Sequence, residues 1–135
     1  KDNLRAILEK SLKNYAIQGE ICGPNIQGNP LGLQSIQLFV FDVYDIDNKK
    51  YLDFNGLIDF TEKNSLTRVE HEATIYPGGK IFTMEDYLNF AEGEYSSGKP
   101  REGIVVRPLV ETYSQSLEDR LRFKVINNDY LLKSE

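Results

Sequence analysis

The chain has 135 residues, 40% of them hydrophobic and 27% charged, and a net charge of −5; it is long enough for one domain with a core and too short for two large ones. Its longest apolar run, Leu38-Phe39-Val40-Phe41, falls far below the ~20 residues of a membrane helix, and no apolar stretch follows Lys1 to Arg5 as it would in a signal peptide. A lone cysteine, Cys22, excludes an intrachain disulfide and a cysteine-based zinc site, and a lone histidine, His71, argues against a His-rich metal centre; the expectation is a soluble cytoplasmic domain with no membrane association.

Leu4, Ile7, Leu8 and Leu12 fall at helical spacing and predict a helix over Asn3 to Lys13, with Asp2 as a cap. Tyr15 to Cys22 reads as a strand. Gly23-Pro24-Asn25 and Gly28-Asn29-Pro30 are loop signals. Ile36 to Ile46, rich in β-branched and aromatic residues, is a central strand. A turn at Asp47 to Lys50 and a return strand from Lys50 to Phe54 complete a hairpin. Gly56 to Lys63 is a helix with Asn55 as N-cap, and Leu66 to Ile75 holds a short strand. Thr83-Met84-Glu85-Asp86 fits a capping box and starts a helix running to about Glu92. Gly93 to Arg101 is a loop, Gly103 to Val110 and Leu121 to Ile126 are strands, and Asn127-Asn128-Asp129 is a break before Tyr130. Helices and strands do not alternate, so the fold class is α+β with a largely antiparallel sheet and flanking helices.

The acidic average disfavours a broad nucleic-acid face, because such faces draw their affinity from Lys and Arg on phosphates. The charge is unevenly spread, however. Residues 101–135 carry six basic residues against six acidic ones, with Arg120, Arg122 and Lys124 close together. An anion site here would be a pocket, not a face.

Three segments join charged residues to strands. In Gly19-Glu20-Ile21-Cys22-Gly23-Pro24, Glu20 is placed to accept hydrogen bonds or to help hold a hard cation; taken alone it is a surface glutamate. In Leu38 to Val43, alternation puts Leu38, Val40 and Asp42 on one side and Phe39, Phe41 and Val43 on the other. A strand-end Phe offers a flat face to a base, although aromatic strand residues usually pack in cores. In Arg101 to Pro108, Glu102 and Arg107 bracket an apolar strand on opposite faces. Downstream, alternation puts Arg122 and Lys124 on one face, a pair suited to phosphate, with Phe123 and Val125 on the other.

In this order and at these spacings the segments resemble the covalent nucleotidyltransferases, the polynucleotide ligases and capping enzymes, and among them the RNA ligase 2-like family, from about Tyr15 to Lys133. Glu-Gly-Ile-Val-Val-Arg-Pro (102–108) resembles the fourth motif of that family, Gly-Glu-Ile-Cys-Gly-Pro (19–24) the third, Phe39 to Val43 the aromatic-acidic strand that follows it, and Phe123 to Asn127 the fifth. The resemblance implies a nucleotidyltransferase domain using ATP (held as AMP) with Mg²⁺ or Mn²⁺ to join RNA 3′-OH and 5′-phosphate ends, a nicked duplex among them, through lysyl-AMP and an adenylylated 5′ end. It implies that Phe41 stacks on adenine and that Glu20 belongs to the nucleotide and metal site. It further implies that Glu102 is tied to the metal, that Arg107 lies near a nucleotide phosphate, and that Lys124 contacts the α-phosphate. Glu102 and Lys124 are thus the catalytic candidates. Arg120 and Arg122 are candidates for nucleic-acid contact.

Two departures accompany the resemblance. The fifth motif often reads Lys-x-Lys, and Ile126 stands at its second position. The nucleophile motif, Lys-x-x-Gly, is absent: no lysine in the chain is followed three residues later by glycine. The expectation is a single domain, 1–135, forming the C-terminal portion of an adenylyltransferase domain, inactive alone and partnered by an N-terminal part of the same polypeptide. The alternatives are a non-catalytic nucleotide- or protein-binding domain of the same descent, or a capping-type guanylyltransferase fragment.

Overall fold

The computed structural model describes residues 3–71, 73–76 and 78–133. The order of elements is α1 (Leu4–Lys10), β1 (Tyr15–Cys22), β2 (Gln37–Asp45), β3 (Lys50–Tyr51), α2 (Phe54–Lys63), α3 (Met84–Ala91), β4 (Gly103–Val106), β5 (Tyr113–Ser114), β6 (Asp119–Arg120), β7 (Phe123–Ile126) and α4 (Asn128–Lys133). Among the described residues no helix is long and apolar enough to cross a membrane.

The strands form a three-stranded sheet, β1-β2-β3, and two antiparallel ribbons, β4-β7 and β5-β6. The fold is mixed α and β with small antiparallel sheets, where the sequence reading expects one larger sheet. Its core cluster, Val40, Val43, Leu57 and Leu66 with Leu4, Ile7, Tyr15, Ile17, Leu38, Leu52 and Phe60 around it, comes wholly from residues 4–66. A second apolar contact zone sets α3 on the β4-β7 ribbon: Tyr87 meets Phe123 edge-on at 5.1 Å, Phe82 lies against Tyr87 and Phe90, and Ala91 and Val125 are buried.

Several boundaries move for identifiable reasons. The first helix stops at Lys10, because Ser11 turns into extended backbone while its hydroxyl bonds back to the Ile7 carbonyl; Asp2, the expected cap, lies outside the described residues. Asp53, not Asn55, caps α2, its carboxylate accepting from the Gly56 amide at 2.9 Å. The capping box of Thr83 and Asp86 is present in both directions. Among the described residues the strand expected between Leu66 and Ile75 reduces to one parallel bridge, in which Val40 bonds through both its backbone groups to Thr67 and Val69. The strand expected from Gly103 to Val110 ends at Val106, just before Arg107-Pro108, where proline offers no ladder donor. The chain continues after Asn127 as the short helix α4, not as a break.

Gly103 fixes how β4 meets β7. Its φ is +152°, and a Cβ built there would lie 2.0 Å from the Val125 carbonyl oxygen. Gly103→Ala is therefore expected to cost at least the ~1–3 kcal/mol of a disfavoured backbone conformation, read as a lower urea midpoint. An unchanged midpoint would contradict the tight crossing.

Candidate functional site

Two charged clusters stand on this scaffold. The first joins the three segments that hold Glu20, Glu102 and Lys124. Glu102 sits one residue before β4 and Lys124 is the second residue of β7; the register Gly103↔Ile126, Val105↔Lys124 brings them together. Lys124 Nζ donates to Glu102 Oε1 at 2.6 Å, and both side chains are about half exposed (54% and 49%). The hydrogen bond to Glu102 holds the Lys124 ammonium above the usual lysine range, with the charges of Glu102 and Glu20 acting in the same direction. Glu20 is exposed on β1 opposite Phe39. Gly19 permits the close approach there, since a Cβ would meet the Phe39 carbonyl oxygen at 2.7 Å.

Asn127 holds this cluster from behind. It is 1% exposed, its amide donates to the Glu102 carbonyl at 2.8 Å, and its side chain donates to the Arg101 carbonyl at 2.9 Å. Arg101 in turn donates to the carbonyls of Phe90 and Ala91 at the end of α3, where cations complement the helix dipole. The backbone on both sides of Glu102 is thus fixed while its carboxylate stays open to solvent.

The second cluster centres on Asp42, which is 1% exposed on β2. Arg120 donates to both its oxygens at 2.9 and 3.0 Å, Arg122 donates at 2.9 Å and Arg107 at 3.3 Å. Glu111 accepts from Arg120 Nε, and also from Arg120 Nη2 at 3.0 Å and Arg107 Nη2 at 3.5 Å. Arg120 also lies over the Tyr51 ring, 3.4 Å from its centroid. Burial pushes the Asp42 carboxyl up, and the hydrogen bonds and charges of Arg120 and Arg122 outweigh it, so the group lies below the usual carboxylate range. Burial would lower Arg120, but Glu111 and Asp42 drive it further up.

Phe41 lies beside this cluster, at a bulge. Gln18 pairs with Asp42 and Gly19 with Val40, so Phe41 is the extra residue of β2 with no partner on β1. Phe41 is 41% exposed, whereas Val40 and Asp42 on either side are 1% exposed.

A family model described as RNA ligase matches residues 1–126. The chain belongs to the RNA ligase family. Solved structures of Naegleria gruberi RNA ligase are similar to it at 28% identity: a mutant apo form (TM-score 0.80), a mutant with AMP and Mn (0.80) and the enzyme with PPi (0.81). Each match covers 98% of this chain and 38% of the solved chain, so this ligase chain spans well under half the length of those enzymes. No curated protein matches it.

Within the ligase chain the sequence-derived candidates divide. Glu102 and Lys124 meet, and the charge of Glu20 acts on Lys124. Arg107 does not join them: β4 is only four residues long, so Glu102 and Arg107 lie off its two ends and serve different clusters. Arg122 and Lys124 do not share a face either. Arg122 precedes β7, outside the ladder that would impose alternation, and turns to Asp42. Arg120 and Arg122 are committed to carboxylates, not free surface cations. Asp42, Glu111 and Asn127 are the residues that sequence reasoning leaves without a role. One signal was available for Asp42: alternation puts it on the face of Leu38 and Val40, and a carboxylate on a buried face requires cations.

Asp42→Asn leaves three guanidiniums around a neutral amide and is expected to cost about 3–5 kcal/mol in urea unfolding. Because the folded pKa of Asp42 is depressed, its contribution is complete above the unfolded value of ~3.9 and is lost as pH falls through the folded value. Asp42→Asn should flatten the acid side of the stability profile; an acid limb as steep as in the unsubstituted chain would show that another carboxylate governs it.

Proposed function

We propose that the chain is a portion of an ATP-dependent RNA ligase that seals 3′-OH and 5′-phosphate ends through lysyl-AMP and adenylylated-end intermediates, in the cytoplasm, with nicked duplex RNA among its substrates. The observation that carries this reading is the meeting of Glu102 and Lys124 across the β4-β7 ribbon, open to solvent, with Glu20 of β1 near enough for its charge to act on Lys124. The solved RNA ligases with AMP and Mn, and with ATP and Mn, support it.

The residue types fit the chemistry. Lys124, kept protonated by Glu102, supplies a fixed positive charge for an α-phosphate. Among the described residues no three His, Cys, Asp or Glu side chains gather as a closed metal site would require. Glu102 and Glu20 are the carboxylates that would hold Mg²⁺ or Mn²⁺ in an open site, with phosphate oxygens and water completing its shell. Such an ion offsets charge on the transferring phosphoryl group. Phe41, out of the ladder and partly exposed, is the adenine platform, and Arg107, Arg120 and Arg122, paired with Asp42 and Glu111, support the strand that carries it.

The covalent nucleophile lies outside the chain in this account. A lowered pKa is one way to activate a lysine nucleophile, and the bond to Glu102 shifts Lys124 the other way. No lysine in residues 1–135 stands in a Lys-x-x-Gly sequence. The chain is thus the C-terminal portion of an adenylyltransferase domain whose N-terminal portion carries that lysine.

With labelled ATP and Mg²⁺ the 135-residue chain should acquire no AMP adduct. A longer polypeptide supplying the nucleophile segment should acquire one, and Lys124→Ala should abolish it. An adduct on the chain alone would place the nucleophile within it. An adduct that survives Lys124→Ala would remove Lys124 from the phosphate site.

A further inference from the structure

The environment of Arg107 assigns it a different task from phosphate contact. Its side chain is 17% exposed. Nη1 donates to the Phe41 carbonyl and to Asp42 Oδ1, both at 3.3 Å, and Nη2 donates to Glu111 Oε2 at 3.5 Å. Nε is buried without a partner. The guanidinium is thus spent on carboxylates and on one backbone carbonyl, and that carbonyl belongs to the one β2 residue that the bulge leaves unpaired with β1.

Phe41 needs such a support. A bulge residue lacks the ladder bonds that fix its neighbours, and Phe41 is the β2 residue without a partner on β1. Arg107 spans the Phe41 carbonyl and the carboxylate of the next residue. It therefore fixes the peptide unit between Phe41 and Asp42, and with it the direction in which the Phe41 ring leaves the strand. Asp42 is a rigid anchor for this purpose, because Arg120 holds it through two oxygens and Arg122 adds a third bond. The planar fork matters: Arg107 reaches three acceptors from two nitrogens, whereas a lysine offers one point charge on a flexible stem.

We propose that Arg107 is a positioning residue for the Phe41 ring, acting through the Phe41 carbonyl and Asp42 and not by contact with a phosphate. This rests on the reading of Phe41 as the base platform.

The test has a ligand-free arm and a binding arm, both on the 135-residue chain. In the ligand-free arm, Arg107→Gln should shift the Phe41 carbonyl ¹³C resonance and broaden the Phe41 ring signals while the other β1-β2 amides keep their positions. Arg107→Lys should give a smaller change of the same kind, and it carries the test if Arg107→Gln does not fold. Phe41 signals that stay in place in a folded variant overturn the proposal. In the binding arm, adenosine and ATP are titrated separately. Arg107→Gln should weaken both by about tenfold, within the range expected for loss of one stacked base, with no further loss when combined with Phe41→Leu. Weaker ATP binding with adenosine unchanged would mean direct phosphate contact and overturn the proposal, as would losses that add. If the unsubstituted chain binds no adenosine, or Phe41→Leu leaves adenosine binding unchanged, the base-platform reading fails, and the ligand-free arm still decides whether Arg107 positions the ring.

Discussion

The buried carboxylate of Asp42 is the constraint on which the rest of the molecule depends. Removing a carboxylate from water costs several kcal/mol unless cations and hydrogen bonds replace the solvent. Here the replacement comes from three arginines distant in sequence: Arg107 after β4, Arg120 on β6 and Arg122 before β7. The apolar core is drawn from residues 4–66, so it does not itself hold the two C-terminal ribbons. The ion cluster ties them to β2, assisted by the bond from the Phe54 amide to the Leu109 carbonyl. Charge pairing at Asp42, with the bonds from Ser97 to the Pro30 carbonyl and from Lys99 to the Gly28 carbonyl, holds the second half of the chain against the first.

That arrangement separates the two kinds of charge in the chain. Three guanidiniums against two carboxylates lock the interior side of β2. Lys124 and Glu102 remain at the surface, about half exposed, on backbone held by Asn127. A surface pair of this kind adds little to stability. The −5 net charge is compatible with an anion site for the same reason: the site needs one well-placed cation, not a basic face. Most of the arginines that would have made such a face are spent on holding the fold together.

The sequence carried the local features of this fold well. β1 runs over the same residues that its apolar and β-branched content marks out, and the Thr83–Asp86 capping box starts α3 as expected. What it did not carry was tertiary register. Alternation says that Arg122 and Lys124 share a face, but alternation holds only within a ladder, and β7 begins one residue after Arg122. The bulge that frees Phe41 comes from the pairing of β1 with β2, set partly by the close approach at Gly19, and neither strand shows it alone. Glu102 and Lys124, 22 residues apart, meet through the β4-β7 register. The motif resemblance brought the candidate site residues together on paper, and the structure divided them between a surface cluster and an interior one.

The central claim is that Glu20, Glu102 and Lys124 form one phosphate-and-metal site and that Phe41 is the platform for the base. Paramagnetic broadening by Mn²⁺, measured by NMR on the labelled chain in the presence of ATP, tests it most directly. The account predicts selective loss of signals at Glu20, Glu102 and Lys124, together with contacts between the adenine protons and the Phe41 ring. Broadening centred on other carboxylates, such as Asp45 and Asp47 at the hairpin turn, with Glu20 and Glu102 left sharp, would contradict it.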